Sequence, residues 1–337
     1  MDFNEYEELL NEILKMNNKK RPNIPERVLN KSIENISKGY AEAYKKLYVQ
    51  LLDSLQENMG VGTSPTQKDL MSVIAQIESQ LNQMNQEIAS EIKKEIQKNY
   101  LSGSVMNIVI AEQITEMAVL QAYIPFTQIN SSKAEQLIAD TMDDLLFATE
   151  NTKHSVKIVV RDYFNKHLTL AGLEQKSQKE LIQLLTKDLT KQGMSQTIKD
   201  KAFIGIIDSA GRRWNLKTYI QTVISTKMSQ AYHEGMKDNA VQTGKDLAMV
   251  SRKGATDSCR YFEGMIISMT GQSKGYMTYD ELKSTGLIFH PHCRHTCYPV
   301  GGMHLLHEDD VQIHEKQMAN VKGVLREKMK KSKKSKK

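Results

Sequence analysis

The residues best suited to metal chemistry lie close together near the C-terminal end of the sequence. All three cysteines and six of the nine histidines fall between residues 259 and 314. Cys259 is isolated, and the segment His290–Cys297 (HPHCRHTC) begins 31 residues later. Thiolates and imidazoles are the ligands that Zn²⁺ prefers, usually four around one structural ion. The spacing therefore predicts a structural zinc site, with these candidate ligands: Cys259, His290, Cys293, His295 and Cys297.

The predicted zinc site is incomplete in its first half. Thr256, and not a second cysteine, stands three residues before Cys259, so the usual CxxC pair is missing. Two other interpretations stay open at this point. The cysteines and histidines could be buried packing residues, or the cysteines could form a disulfide outside the cell.

Catalytic motifs are poorly represented in the sequence. His233 begins an HExx segment, but residue 237 is Lys, so the HExxH zinc-protease pair is absent. P-loop and Rossmann glycine patterns are also absent. Gly271–Gly275 (GQSKG) fits the letters of G-x-S-x-G, but we interpret it as a short turn, and it lacks the P-loop spacing. Cys293 has no orienting acid beside it in the sequence. We therefore predict a protein that is not an enzyme, and the alternative is a zinc-dependent nuclease or toxin that uses the Cys/His cluster.

The charge of the chain is concentrated at one end. There are 46 Lys and Arg residues against 40 Asp and Glu residues, which gives a formal net charge of +6. Seven of the lysines lie in the last ten residues, and without them the chain has 39 basic and 40 acidic residues. Such a segment cannot bury an apolar face, so we predict a disordered tail that binds nucleic acid without sequence specificity. The lysines are Lys328, Lys330, Lys331, Lys333, Lys334, Lys336 and Lys337.

Length and composition exclude several classes of protein. Three cysteines in 337 residues are too few for a disulfide-rich secreted scaffold. No apolar run reaches the roughly 18 residues that span a bilayer, so membrane insertion is not expected. Acidic residues follow the initiating Met closely, which is the wrong charge for a signal peptide. We expect a soluble protein made in a reducing cytoplasm.

The elements that must position the cluster are mostly helices. Residues 1–58 are predicted to be N-terminal helices, and residues 69–207 a helical domain with no visible chemistry. A helix of roughly 30 residues after Thr66 has a narrow apolar seam, and a further helix is predicted over 105–125. The seam is typical of a helical hairpin; the other interpretation is self-association as a coiled coil.

The pattern changes towards the C-terminus. A strongly periodic helix follows Trp214, and short strands are predicted at Leu247–Ser251 and Met265–Ser268. We predict an α+β module over residues 208–303, then a polar helix and the lysine tail over 304–337. The fold class is thus mainly α with long helices in the N-terminal two-thirds, followed by a small α+β module with two or three short strands.

Four segments of this module resemble the minor capsid proteins of tailed phages, in the wider head-morphogenesis group that includes the Mu F-type minor head proteins. The most specific one is His290-Pro-His-Cys293-Arg-His295, which is close to the group's His-Pro-Asn-Cys-Arg signature. Two departures are His292 in place of Asn and the missing second cysteine before Cys259. The other three segments are Gly211–Tyr219, Ala231–Gly235 and Ser258–Ser268.

The resemblance implies a structural role in the virion. Members of this group are present in few copies, associate with the portal and lie within the procapsid. It implies binding to the portal protein and other head proteins, contact with DNA, and help in genome packaging or ejection. The expected locations are the capsid interior or portal vertex, and the host cytoplasm during assembly.

Overall fold

The chain folds into two compact units, each assembled from segments that are distant in sequence. The computed structural model describes residues 3–17, 27–39, 67–123, 129–145, 206–207, 213–214, 216–291 and 293–334. One unit contains Met1–Ser32, Lys94–Leu137 and Ser225–Lys337; the other contains Ile33–Lys93 and Ile138–Ile224. The division of the chain into four consecutive segments stays a prediction.

Helices make up the described part of the N-terminal two-thirds, as the sequence predicts. They are α1 (Phe3–Asn17), α2 (27–39), α3 (Gln67–Ala111), α4 (Met117–Tyr123) and α5 (131–145). In the ranges that the structure describes, none of the helices combines the length and the apolar character that a membrane span requires.

Helix α3 is longer than the sequence predicts. It runs without a break for 45 residues, so the predicted helix over 105–125 is in its first part a continuation of α3. The apolar seam is buried where its side chains are described, at Ile88, Ile92 and Ile96. No proline interrupts the segment, and Gly103 is accommodated because it packs against another helix.

Helix α3 crosses α6 (Leu216–Thr243) at very close range. A Cβ atom on Gly103 would overlap the carbonyl oxygen of Tyr232, and one on Gly235 would overlap that of Tyr100. The two helix backbones are therefore in direct contact, which only glycine permits. Four residues further along each helix, Asn107 Nδ2 donates to Asn239 Oδ1 at 2.9 Å.

One hydrophobic core lies around this crossing. It is built from α1, the C-terminal part of α3, α6 and the buried side of a three-stranded sheet. Ile13 of α1, Val105 of α3, Met236 of α6 and Val250 of the sheet are completely buried. The core therefore ties the N-terminal helix to the C-terminal module.

The sheet confirms the predicted small number of short strands. Strands β3 (Leu247–Val250), β4 (Ile266–Ser268) and β5 (Cys297–Pro299) form an antiparallel sheet in the order β4-β3-β5. Every second residue of β3 is buried, which is the pattern of a sheet packed on one face. Two further strands, β1 (Ile206–Ile207) and β2 (Arg213–Trp214), form a separate antiparallel pair. The last short helix of the module is α7 (Tyr279–Ser284).

Helix α6 holds the outer side of β5. Tyr232 donates its hydroxyl to the carbonyl of Cys297 (3.2 Å), and the amide of Cys297 donates to His233 Nε2 (3.1 Å). His233 Nδ1 lies 3.1 Å from the hydroxyl of Tyr279 in α7. Burial, with a smaller contribution from nearby lysine charges, lowers the pKa of His233 to about 3. The ring is therefore neutral, and it links α6, β5 and α7 as a packing residue.

Helix α8 (Glu308–Lys334) holds the opposite side of the sheet. His314 Nδ1 accepts the amide proton of Ile266 in β4 at 3.0 Å. Gln317 donates to the carbonyls of Arg260 (2.9 Å) and Glu263 (3.1 Å), in the loop before β4. Asp310 forms an ion pair with Arg252. The C-terminal helix is thus held against the segment from Arg252 to Ile266.

The lysine tail differs from its prediction in one respect. The sequence predicts disorder from residue 328, but α8 continues to Lys334; residues 335–337 lie outside the described range. Lysine is a good helix former, and cations at a helix C-terminus interact favourably with the helix dipole. A helix already nucleated by docked turns extends through such residues at little cost.

Substituting either crossing glycine should destabilise the fold. We expect Gly103→Ala and Gly235→Ala each to lower the free energy of unfolding by about 1–3 kcal/mol, because overpacking forces the helices apart. Thermal or denaturant unfolding followed by circular dichroism measures the effect. Gly323→Ala is the control, since Gly323 lies on α8 with no atom near the position of its missing Cβ. This control should be neutral or stabilise by up to about 1 kcal/mol. Equal behaviour of the three variants would contradict the crossing.

Candidate metal centre

Two segments of the chain form the candidate metal centre, and we call them its limbs. The first limb is a single 3₁₀ turn, Ser258–Tyr261. Asp257 caps it, because its carboxylate accepts the amide proton of Cys259 at 2.9 Å. The amide of Phe262 closes the turn on the carbonyl of Cys259, also at 2.9 Å. Phe262 is completely buried and Cys259 is only 1% exposed. The cysteine sulfur is therefore fixed inside the module.

The second limb is the loop between α7 and β5. Phe289 adopts a left-handed conformation (φ 56°), and the amide of Cys293 donates to the carbonyl of His290 (2.9 Å). Ser258 of the first limb donates its hydroxyl to the carbonyl of Leu287 (2.8 Å). These bonds bring the two limbs together, although about thirty residues separate them in the sequence.

Three donor atoms converge where the limbs meet. The ligand atoms of Cys259, Cys293 and His295 all lie within 4.8 Å of one another. The two sulfur atoms are 3.8 Å apart, and Cys293 Sγ is 3.3 Å from His295 Nδ1. In a tetrahedral zinc site, bond lengths of 2.3 and 2.05 Å place two sulfurs about 3.8 Å apart and sulfur and nitrogen about 3.6 Å apart. The geometry of these three residues fits Zn²⁺.

His290 approaches the same cluster from the other side of Cys259. Its Nε2 is 3.3 Å from Cys259 Sγ, and it forms a second group of donors with Asp257 and Cys259. Its Nδ1 lies 2.8 Å from the carbonyl of Pro291, to which it donates. This leaves Nε2 free of its proton and able to bind a metal. His290 is therefore the fourth candidate ligand, next to Cys259.

Glu263 fixes the orientation of the His295 ring by a contact with its outer nitrogen, Nε2. Its Oε1 lies 2.9 Å from His295 Nε2 and also accepts the amide protons of Lys253 (2.7 Å) and Ala255 (3.0 Å). A carboxylate on the outer nitrogen of a metal-binding histidine is a common supporting contact, since it fixes the ring and its tautomer. Glu263 is not among the site residues predicted from the sequence. Its role depends on a contact across 32 residues that spacing alone does not reveal.

The electrostatics of the two cysteines differ. Burial and the neighbouring Cys293 sulfur raise the pKa of the Cys259 thiol well above its usual range. Burial also acts to raise the pKa of Cys293, but hydrogen bonding to His295 outweighs it, and the pKa of Cys293 falls below its usual value. Burial opposes protonation of His295, yet contacts with Cys293 and Glu263 raise its pKa overall. A cation bound here would stabilise both thiolates.

Cys297 does not belong to this cluster. The sequence places it among the candidate ligands, but it lies completely buried in β5, and its sulfur is outside both groups of donors. Cys297 lies on the buried side of β5 and belongs to the hydrophobic core, whereas His295 lies before the strand begins. His304 and His307 are exposed at the start of α8, and residue 292 lies outside the described range. Cys259, Cys293 and Cys297 are all free thiols.

A narrow cleft opens beside the cluster. Thr226, Ser229 and Gln230 of α6 form one side, and Tyr279 and Lys283 of α7 form another. Cys293, His290 and His295 are at its base, so solvent reaches the centre from this side.

The C-terminal part of the chain, which includes this module, is similar to known proteins. Residues 173–336 match the family model described as "Phage minor capsid protein 2". A protein of Lactococcus phage LL-H, named "Structural protein", is 25% identical over 146 residues. The match covers 42% of this chain and 37% of that protein, so the chain spans well under half the length of this relative. No solved structure shows significant similarity. The predicted resemblance to phage minor capsid proteins is thereby confirmed for the C-terminal region, residues 173–336.

Proposed function

We propose that this protein is a non-enzymatic part of the phage head that associates with the portal vertex and contacts packaged DNA through its C-terminal lysines. The observation that carries the proposal is the attachment of α8 to the family module, with a continuous helix from the docked turns to Lys334. The body of the chain is close to neutral, so its surface can pack on other head proteins without strong repulsion. During assembly the protein would be in the host cytoplasm, and afterwards in the virion.

The proposed DNA contact is electrostatic. Five of the seven tail lysines lie within the helical range of α8, and the other two follow it directly. A helix spaces successive residues by about 1.5 Å along its axis, so its charges are concentrated within a short length. Such a segment binds phosphates of any sequence by releasing counterions.

We further propose that the centre formed by the two limbs binds one structural zinc ion. Cys259, Cys293 and His295 would be three ligands, with His290 as the fourth and Glu263 as the support of His295. The bound ion would supply the link between the 3₁₀ turn and the loop after α7. Its purpose would be folding stability, because small loop-rich modules gain much of theirs from such links.

The alternative, a zinc-dependent nuclease or toxin, has less support. A hydrolytic site needs a carboxylate or a base that is free to act on water. Glu263 already accepts three hydrogen bonds, and Asp257 caps the turn of Cys259. Both acids beside the centre therefore have structural partners.

The portal association is tested on assembling phage heads. We expect the protein to co-purify with portal rings isolated from heads, and cross-linking mass spectrometry to join its residues to the portal protein. Cross-links to the major shell protein alone, at positions away from the vertex, would contradict the proposal.

The zinc proposal predicts about one equivalent of Zn²⁺ in the purified protein by elemental analysis. Cys259→Ser and Cys293→Ser should lose the ion and melt at lower temperature, because each removes a ligand. Cys297→Ala is the matched control and should retain the ion, since Cys297 lies outside the centre. Zinc in all three variants, or in none including the wild type, would refute the proposed ligand set. DNA cleavage that is lost in Cys293→Ser or His290→Ala would favour the enzymatic alternative.

The tail proposal predicts that deleting residues 328–337 removes most DNA binding while the body stays folded. If all seven lysines contact phosphates, the slope of log K against log salt should change by roughly 6. Fluorescence anisotropy with a DNA duplex over a series of salt concentrations measures this. Replacing the seven lysines with Arg is the control and should preserve binding, whereas replacing them with Gln should not. Unchanged affinity at low salt after the deletion would overturn the assignment.

A further inference from the structure

The two sulfur atoms of the centre are close enough to react with each other. Cys259 Sγ and Cys293 Sγ are 3.8 Å apart, and a disulfide needs about 2.05 Å. Rotation about the two Cα–Cβ bonds is the movement that would close this gap. We propose that Cys259 and Cys293 are a redox pair, which a small-molecule disulfide converts to an intramolecular disulfide that cannot hold the metal ion. The loss of metal rests on the proposed zinc centre, but the formation of the disulfide does not.

Accessibility assigns different roles to the two cysteines. Cys259 is 1% exposed and lies inside the capped turn. Cys293 is half-buried and lies at the base of the cleft beside Ser229 and Lys283, where an oxidant from solvent reaches it first. Cys293 is therefore the thiol that attacks the oxidant. Cys259 is the resolving thiol, which acts only within the module.

Each thiol has a nitrogen atom that can take its proton. His290 donates from Nδ1 to the carbonyl of Pro291, so its Nε2, at 3.3 Å from Cys259 Sγ, faces the thiol with a lone pair. His295 donates from Nε2 to Glu263, so its Nδ1 faces Cys293 Sγ in the same way, also at 3.3 Å. The polar contacts that suit metal binding therefore also suit thiol–disulfide exchange.

The reaction balances as two exchange steps. In the first, Cys293 Sγ attacks one sulfur of the oxidant RSSR; a mixed disulfide forms and one RS⁻ leaves. In the second, Cys259 Sγ attacks Cys293 Sγ, the mixed disulfide breaks, and a second RS⁻ leaves. The two protons lost by the cysteines pass to the two RS⁻ groups. The protein loses two electrons, and RSSR is reduced to two RSH.

The product would connect the same two limbs that the metal connects. The disulfide joins the 3₁₀ turn to the loop after α7 directly, across 34 positions of the sequence. The module would therefore stay closed in an oxidising medium, where a zinc–thiolate centre is lost. In a reducing medium the thiols return and the metal can bind again.

Cys297 is an internal control for the oxidation of Cys259 and Cys293. It is completely buried in β5 and lies outside both groups of donors, so it should stay reduced under the conditions that oxidise the pair. This makes the proposal specific to one of three pairings among the free cysteines.

The experiment uses the full chain, freed of metal with a chelator, and an excess of oxidised glutathione. After alkylation of the remaining thiols, mass spectrometry of a proteolytic digest should show a Cys259–Cys293 cross-link, with Cys297 alkylated. Cys259→Ser should stop at a glutathione adduct on Cys293, and Cys293→Ser should lose no thiol. The zinc-loaded wild type should release its ion, measured with a chromogenic chelator, in step with cross-link formation.

Three results would overturn the proposal: retention of all three free thiols in the wild type, a cross-link that includes Cys297, or a glutathione adduct on Cys259 in preference to Cys293. These outcomes are separate from those of the zinc proposal. A Cys259–Cys293 cross-link in a protein that never binds zinc would refute the metal centre alone. Zinc binding without the cross-link would refute the redox pair alone.

Discussion

The contact between α3 and α6 is the constraint on which the α+β module and the candidate metal centre depend. At Gly103 and Gly235 the two helices approach until their backbones touch, and no residue with a Cβ atom fits there. This fixes the turn of α6 that carries Tyr232 and His233, and these side chains hold both backbone groups of Cys297. The start of β5, and with it His295 two residues earlier, is therefore positioned through this helix crossing.

Much of the architecture is visible in the sequence because it follows from local patterns. The spacing of apolar residues predicts the helices, and short apolar runs predict β3 and β4 at nearly their observed bounds. The continuity of α3 is harder to predict. Gly103 weakens a helix on its own, and only the partner Gly235, 132 residues later, explains why it is retained. Tertiary packing has decided the outcome over local propensity at this position.

The candidate site, too, could be predicted from the sequence only in part. Residue types and the HPHC segment point to the correct region, and four of the five candidate ligands meet there. Spacing in sequence could not separate Cys293 from Cys297, because that choice depends on which residues lie before β5 and which lie within it. The partners of the ligands are non-local as well: Glu263 reaches His295, and Gln317 of α8 binds the backbone of Glu263. The family match is confined to residues 173–336, and it too identifies the region without identifying these contacts.

The hydrogen bonds at the two outer strands have a consequence for how copies of the chain meet. A three-stranded sheet offers backbone donors and acceptors on both margins, and unprotected margins recruit strands from neighbouring molecules. Here His314 occupies the amide of Ile266 on β4, while Tyr232 and His233 occupy both backbone groups of Cys297 on β5. These backbone groups are thus not available to pair with a strand of a neighbouring molecule. A chain protected in this way can be present at high local concentration and still make its contacts through side chains and helices.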